Sequence, residues 1–200
     1  MDAADWDARY AAAEMLWTAE PNRFLVEHTS ELAPGRALDL ACGEGRNAVW
    51  LARRGWRVTA VDFARVGLEK AYRLAEESDV QVDWRLEDVL AYRPARRGFE
   101  LVIALYLQLE AEPLATVLGR AAEAVAAGGT LLVVGHDVAN LGEGIGGPQD
   151  ARVLVNAEQG VEELEGLVVE QAGQVRRPVQ TDAGTRDAID ALVRATRPVV

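Results

Sequence analysis

The 200-residue chain has one cysteine, Cys42, and one lysine, Lys70, against twenty arginines. A single thiol excludes an intramolecular disulfide and a cysteine-only metal cage, and gives no sign of a secreted disulfide scaffold. The arginine bias in an alanine-heavy chain reads as genome composition rather than chemistry. No run approaches the ~20 apolar residues of a membrane span. The opening Met1-Asp2-Ala3-Ala4-Asp5-Trp6-Asp7 is acidic and lacks the basic-then-apolar order of a signal peptide. Positive charge is scarce too, with Lys+Arg 21 against Asp+Glu 32, a net −11 with neutral histidine. That balance disfavours a nucleic-acid backbone or an anionic membrane as main partner, since both reward clustered cations. What the chain does have is 50% hydrophobic residues, too many for general disorder. Its length suits one domain with its own core. The expectation is a cytoplasmic globular enzyme or ligand-binding module.

From about residue 36, apolar runs alternate with helical periodicity. Strands are predicted at Arg36–Cys42, Arg57–Phe63, Val80–Leu86, Phe99–Leu107 and Thr130–Gly135, mostly too continuously apolar to be one-sided. Helices are predicted over Asn47–Arg54, closing at Gly55, and over Val66–Glu77, with Leu68, Ala71, Tyr72 and Ala75 on one face. A third starts at Pro113 and repeats Leu114, Val117, Leu118, Ala121, Ala122 and Val125 up to Gly128-Gly129. This alternation implies an α/β fold, a doubly wound parallel sheet with helices on both faces. Asn156-Ala157-Glu158-Gln159 resembles a capping box opening a helix to about Gly166. Leu167–Val179 and Ala188–Ala195 predict two closing strands, the second equally readable as helix. The glycine-rich stretch Asn140–Asp150 is a long loop, a kind often used for function. Trp6, Tyr10, Ala13 and Trp17 fall at i, i+4, i+7 and i+11, so a helix there carries an aromatic stripe. That stripe either packs on the sheet or covers a ligand.

The most informative stretch is Ala37-Leu38-Asp39-Leu40-Ala41-Cys42-Gly43-Glu44-Gly45-Arg46-Asn47-Ala48. A buried strand runs into a Gly-x-Gly turn, and a helix begins at once. Glycines there permit positive φ and close ligand approach, and the free N–H groups of the helix start face that ligand. Nineteen residues beyond Gly43, Asp62 ends the second strand. A carboxylate at that tip is placed to accept from two ribose hydroxyls. Gly43-x-Gly45-x-x-Ala48 also fits a dinucleotide fingerprint, so an NAD(P)-dependent oxidoreductase stands as an alternative, as does a protein that binds S-adenosylmethionine without catalysis. Asp39 discriminates between the ligands. Inside the strand exit it would repel a pyrophosphate by ~1 kcal/mol or more, whereas S-adenosylmethionine presents a sulfonium and an ammonium group.

Asp39-Leu40-Ala41-Cys42-Gly43-Glu44-Gly45-Arg46-Asn47 resembles the first motif of class I S-adenosylmethionine-dependent methyltransferases. From roughly Trp6 to His136 the chain is similar to small members of the tellurite-resistance and thiopurine-methyltransferase type. The resemblance implies a Rossmann-like, mostly parallel sheet of seven strands with the last antiparallel. It assigns Asp39, Ala41 (where the family usually has glycine), Gly43 and Gly45 to the methionine portion of the cofactor, with Asn47 nearby. Asp62 falls to the ribose hydroxyls, Phe63 to one adenine face, and Asp88, with the Val89 N–H beside it, to the adenine amino group. Leu105 and Tyr106 come nearest the sulfonium, and Trp17 resembles an aromatic folded over the methionine end. Residues 1–33 become a helical lid, 34–137 a cofactor-binding core, and 138–200 a loop, helix and closing strands, all of one domain.

The implied reaction is in-line methyl transfer, leaving S-adenosylhomocysteine, in which the protein mainly positions donor and acceptor. A general base is needed only for an acceptor that arrives protonated; the candidates are His136, Asp137 and Tyr106, with His28 in the lid region. The chain lacks the Asp/Asn-Pro-Pro-aromatic signature of amino-methylating nucleic-acid enzymes after its fourth strand. His136 and Asp137 are too few for a metal site. These features point to a small soluble acceptor, and the family resemblance favours a thiol or other soft nucleophile. The Gly142–Pro148 loop and the N-terminal helix are the expected pocket walls. Oligomeric state is not encoded legibly.

Overall fold

The computed structural model describes residues 1–158, 161, 164–182 and 184–199. Its strands are β1 (Arg36–Leu40), β2 (Arg57–Asp62), β3 (Asp83–Leu86), β4 (Phe99–Leu105), β5 (Val125–His136), β6 (Val168–Thr181) and β7 (Gly184–Thr196). Its helices are α1 (Ala3–Ala11), α2 (Arg23–Thr29), α3 (Arg46–Arg53), α4 (Arg65–Glu77) and α5 (Ala111–Ala124). One seven-stranded sheet runs in the order β3-β2-β1-β4-β5-β7-β6. β1 to β5 pair in parallel, and β7 is antiparallel to both β5 and β6. The order reverses between β1 and β4, which opens a crevice beyond the carboxyl ends of the strands. No helix among the described residues is long and apolar enough to cross a membrane.

Period-two alternation explains why the central strands read as unbroken apolar runs. Leu101, Ile103, Leu105, Leu132, Val134 and Leu192 face one side, packed with Leu25, Leu51 and Leu68 of α2, α3 and α4. Leu38, Leu40, Val102, Leu131, Val133 and Val193 face the other, against Leu114, Val117, Leu118 and Ala121 of α5. Both layers are needed, so the central strands are dry on both faces, while the edge strands β3 and β6 are largely exposed.

Departures from the sequence reading have physical causes. The helix expected to reach Gly128 ends at Ala124, because Val125 already pairs with Phe99 as β5 begins. Ala188–Ala195 is strand throughout, held by ladders on both sides within β7. The helix expected over residues 156–166 falls partly on 159, 160, 162 and 163, outside the described residues; Asn156 Oδ1 accepts from the Glu158 N–H (2.9 Å) in a local turn. The aromatic stripe is cut short. Ala11-Ala12-Ala13 favours helix, yet α1 stops at Ala11, since the Lys70 ammonium takes the carbonyls of Tyr10 (2.5 Å) and Ala13 (2.7 Å). Trp17 therefore lies beyond the helix, while Trp6 and Tyr10 stack at 5.6 Å.

Candidate active site

A cavity of about 860 Å³ opens at the carboxyl ends of β1, β2, β4 and β5 and is roofed by α1 and the segment after it. β1 leaves the sheet through Ala41 at φ 61, then Gly43 at φ 55 and Gly45 at φ 81. The left-handed backbone at Ala41 is a conformation that favours glycine. A Cβ on Gly43 would lie 2.7 Å from the Tyr10 hydroxyl, and one on Gly45 would lie 2.6 Å from both Ala71 Cβ and Trp84 Cη2. Gly43 lines the cavity, whereas Gly45 does not; its bare backbone lets α3 start against α4 and β3.

Asp62, buried at the end of β2, accepts from the Gly43 N–H (2.8 Å) and the Ala64 N–H (2.8 Å). Burial pushes its carboxyl pKa up, against those bonds. Each oxygen keeps a second lone pair for a ligand hydroxyl. Asp88 sits in an exposed turn, with Oδ1 accepting from the Leu90 N–H (2.8 Å). Trp17, Ala41, Asn47, Phe63, Asp88, Val89 and Leu105 all line the cavity. Asp39 does not. It is 1% exposed, and its Oδ2 has no hydrogen-bond partner among the described residues. Burial, then the charge of Asp62, pushes its pKa up to about 7. A buried acceptor without a donor beside a side-chain-free approach at Gly43 fits the ammonium-bearing end of S-adenosylmethionine.

At the β4 and β5 exits, Tyr106 (φ 59) donates its hydroxyl to Asp190 Oδ2 (2.8 Å) and accepts from Arg177 Nε (3.2 Å). Arg177 Nε also reaches Asp190 Oδ2 at 2.9 Å. Burial first, then the Asp190 charge, pushes the Tyr106 pKa up to about 12, and its hydroxyl proton is held by Asp190. His136 lies against the Tyr106 ring at 4.8 Å. Its Nδ1 is 3.2 Å from Asp190 Oδ1, off the hydrogen-bond axis. Burial works to raise the fully buried Asp190, but its contacts with His136 and Arg177 win and hold it below the ordinary range. Asp137 is turned elsewhere, accepting from the Ala139 N–H and Gln174 Nε2, both at 2.9 Å. His28, in α2, is also outside the cavity lining.

The expected loop wall differs. No residue of 138–150 lines the cavity; Asn140 draws the loop back by accepting from the Ile189 N–H (2.7 Å), and Gly147 packs behind His136. Arg177 and Pro178 of β6 supply that wall instead. Sequence reasoning missed Arg177 and Asp190, although an acid inside Ala188-Ile189-Asp190-Ala191-Leu192 was a signal. It also missed the clasp over the other end. Glu44, buried, accepts from the N–H groups of Leu16 (2.9 Å) and Trp17 (3.0 Å) and pairs with Lys70 at 2.9 Å.

A sheet in this order with a reversed β7, and an acid-tipped β2 beside a Gly-x-Gly turn, defines the class I methyltransferase architecture. Residues 37–129 match the family model described as "Methyltransferase domain". The ubiquinone biosynthesis O-methyltransferase of Methylobacterium sp. is 30% identical over 180 residues, covering 80% of this chain and 72% of that protein. That of Xylella fastidiosa is 34% identical over 105 residues, covering 51% and 42%. For a third such relative, from Methylocella silvestris, the match spans only 27% of that protein's length. The structure is similar to N-methyltransferase NodS from Bradyrhizobium japonicum in complex with S-adenosyl-L-homocysteine (TM-score 0.75, 20% identity, 99% of this chain and 100% of that one). TehB from Haemophilus influenzae superposes with TM-score 0.73 at 17% identity, over 88% and 62%. The chain belongs to the class I S-adenosylmethionine-dependent methyltransferases. It is an enzyme whose cofactor is S-adenosylmethionine, and the oxidoreductase alternative is not favoured.

Proposed function

We propose that this methyltransferase acts on a small molecule whose acceptor atom is a protonated sulfur or oxygen, deprotonated by His136. The observation that carries the reading is the His136–Asp190 contact at the cavity edge, 3.2 Å long, with Asp190 fully buried. An acid behind an imidazole orients the ring, as a general base requires. When bound, S-adenosylmethionine supplies an electrophilic methyl group on a sulfonium. The acceptor's X–H proton would pass to the free ring nitrogen of His136 as the methyl group is transferred. Tyr106, held by Asp190 and Arg177, positions the acceptor rather than taking a proton.

In the same reading, Asp62 holds the ribose hydroxyls and Phe63 packs on adenine, with Asp88 and Val89 at its amino edge. Asp39, Ala41, Gly43 and Asn47 hold the methionine portion, and Gly45 serves it indirectly by seating α3. Leu105 borders the sulfonium and Trp17 covers the end. Residues 1–33 act as the cover, 34–137 as the cofactor core and 138–200 as the closing part of one domain. A cytoplasmic location goes with this reading, since that is where the cofactor is made. Nucleic acid and membranes are not its partners. The test is release of S-adenosylhomocysteine across thiols, phenols, amines and chalcogen oxyanions. Turnover should be confined to X–H acceptors and fall 10²–10⁴-fold in His136→Gln. Equal turnover by that variant removes the base role, and silence across the panel overturns the proposal.

A further inference from the structure

Charge is unevenly placed among the strand-exit residues of the cavity. Asp62 and Asp88 lie at the β2 and β3 exits, Arg46, Arg177 and His136 lie near Tyr106, and Asp2 and Arg23 come from the N-terminal segment. At that cationic end the carboxylate in contact is Asp190, fully buried and shared between Arg177 Nε, the Tyr106 hydroxyl and His136. Among the described residues, no hydrogen bond engages the two terminal nitrogens of Arg177. Arg46 reaches only Thr18 Oγ1, at 3.5 Å, and has no carboxylate partner among the described residues. Burial, and to a smaller degree the like charge of Arg177, works against Arg46, while Tyr106, Asp39 and Glu44 favour it without touching it. Two guanidinium groups stand near one another in a concave wall, and the one carboxylate in contact, Asp190, is bonded to Arg177 and not to Arg46; this leaves local positive charge. This occurs in a chain carrying −11 overall, whose outer field repels anions.

Resting on the methyltransferase reading of this site, we infer that the acceptor carries an oxyanion, a carboxylate or phosphate monoester, that docks on the terminal nitrogens of Arg177 with Arg46 as second cation. A guanidinium fork pairs two oxygens at once and so fixes orientation as well as charge. Arg177 Nε is already tied to Asp190 and Tyr106, which presets the fork. The acceptor's anionic end then sits on β6, and its nucleophile faces His136 on β5. Amine cations are repelled from the same wall.

The experiment is titration calorimetry of the chain saturated with S-adenosylhomocysteine, so that the cofactor's own carboxylate site is filled. The probes are 4-methylbenzoate, phenyl phosphate and the neutral 4-methylbenzamide. One or both anions should bind at least tenfold more tightly than the amide, and comparing them tells carboxylate from phosphate. Arg177→Gln should erase the advantage, Arg46→Gln reduce it by a smaller factor, and Arg177→Lys restore part of it. Equal binding of anion and amide, no anion binding, or an advantage that survives Arg177→Gln overturns the inference. The preliminary S-adenosylhomocysteine titration reports separately on the cofactor reading. Were it blank, the anion titration on the free chain would still decide the Arg177 question.

Discussion

The two ends of the cavity are built differently. Most of the end assigned to the cofactor comes from one short stretch of chain: β1, its turn, the start of α3 and the tip of β2, all between Arg36 and Asp62. The other end is assembled from Tyr106, His136, Arg177 and Asp190, on β4, β5, β6 and β7, which only the sheet order brings together. One is a motif, the other a product of topology. In the proposed reading the contrast also runs in charge: Asp62 and Asp88 lie toward the cofactor, Arg46 and Arg177 toward the acceptor.

That contrast can be broken in several ways. The largest effect should come from Lys70→Met, which ties the cover to the cofactor end through distant contacts. It leaves Glu44 buried without its cation, at a cost of ~3–5 kcal/mol. Melting should fall by roughly 6–20 °C, and the Glu44→Gln/Lys70→Met double variant should lose less; a shift under a degree or two would make the clasp ornamental. Next, a paired measurement tests the division of labour. Asp62→Ala should weaken S-adenosylhomocysteine binding by ~1–3 kcal/mol, whereas Asp190→Asn should mainly lower kcat and flatten its pH profile. If both variants change binding and turnover alike, the two ends are not separate.

Asp39 sharpens the electrostatic half of the comparison. Its folded pKa of about 7 lies above the ordinary value of 3.8, so between those values the folded chain binds more protons than the unfolded one. Stability of the cofactor-free chain should therefore fall as pH rises through this window, with Asp62 adding in the same sense. Urea unfolding between pH 5 and pH 8 should show a shallower slope for Asp39→Asn. A cationic ligand favours the ionised form, so cofactor affinity should drop as pH falls below about 7. The smallest effect is at Ala41. Its φ of 61 makes Ala41→Gly stabilising by up to ~1 kcal/mol after the added freedom of the unfolded chain is subtracted. A lower urea midpoint would show that the strain is illusory.

The same contrast accounts for what could be read in advance. Asp62, Phe63 and the Gly-x-Gly turn were legible because each follows directly on a recognisable strand. Four of the parallel strands, β1, β2, β4 and β5, were legible because burial on both faces leaves largely apolar runs, whereas β3 buries only Trp84. Arg177 was invisible for the opposite reason: on a strand whose exposure alternates, one arginine among twenty looks like solvated surface. The helix end at Ala11 was equally hidden, because local propensity there says helix and the deciding partner, Lys70, lies on α4. The loop at Asn140–Asp150 had the composition of a pocket wall, but Asn140 bonds to β7 and takes it away from the cavity.

That partner has a practical consequence. As the sole lysine, Lys70 gives an amine-directed reagent one side-chain target in the whole chain, and its three donors are spent on Tyr10, Ala13 and Glu44. Acylation at Lys70 must wait until the N-terminal segment lifts. The rate of that modification, followed by mass spectrometry with and without S-adenosylhomocysteine, would time the opening of the roof without any engineered label.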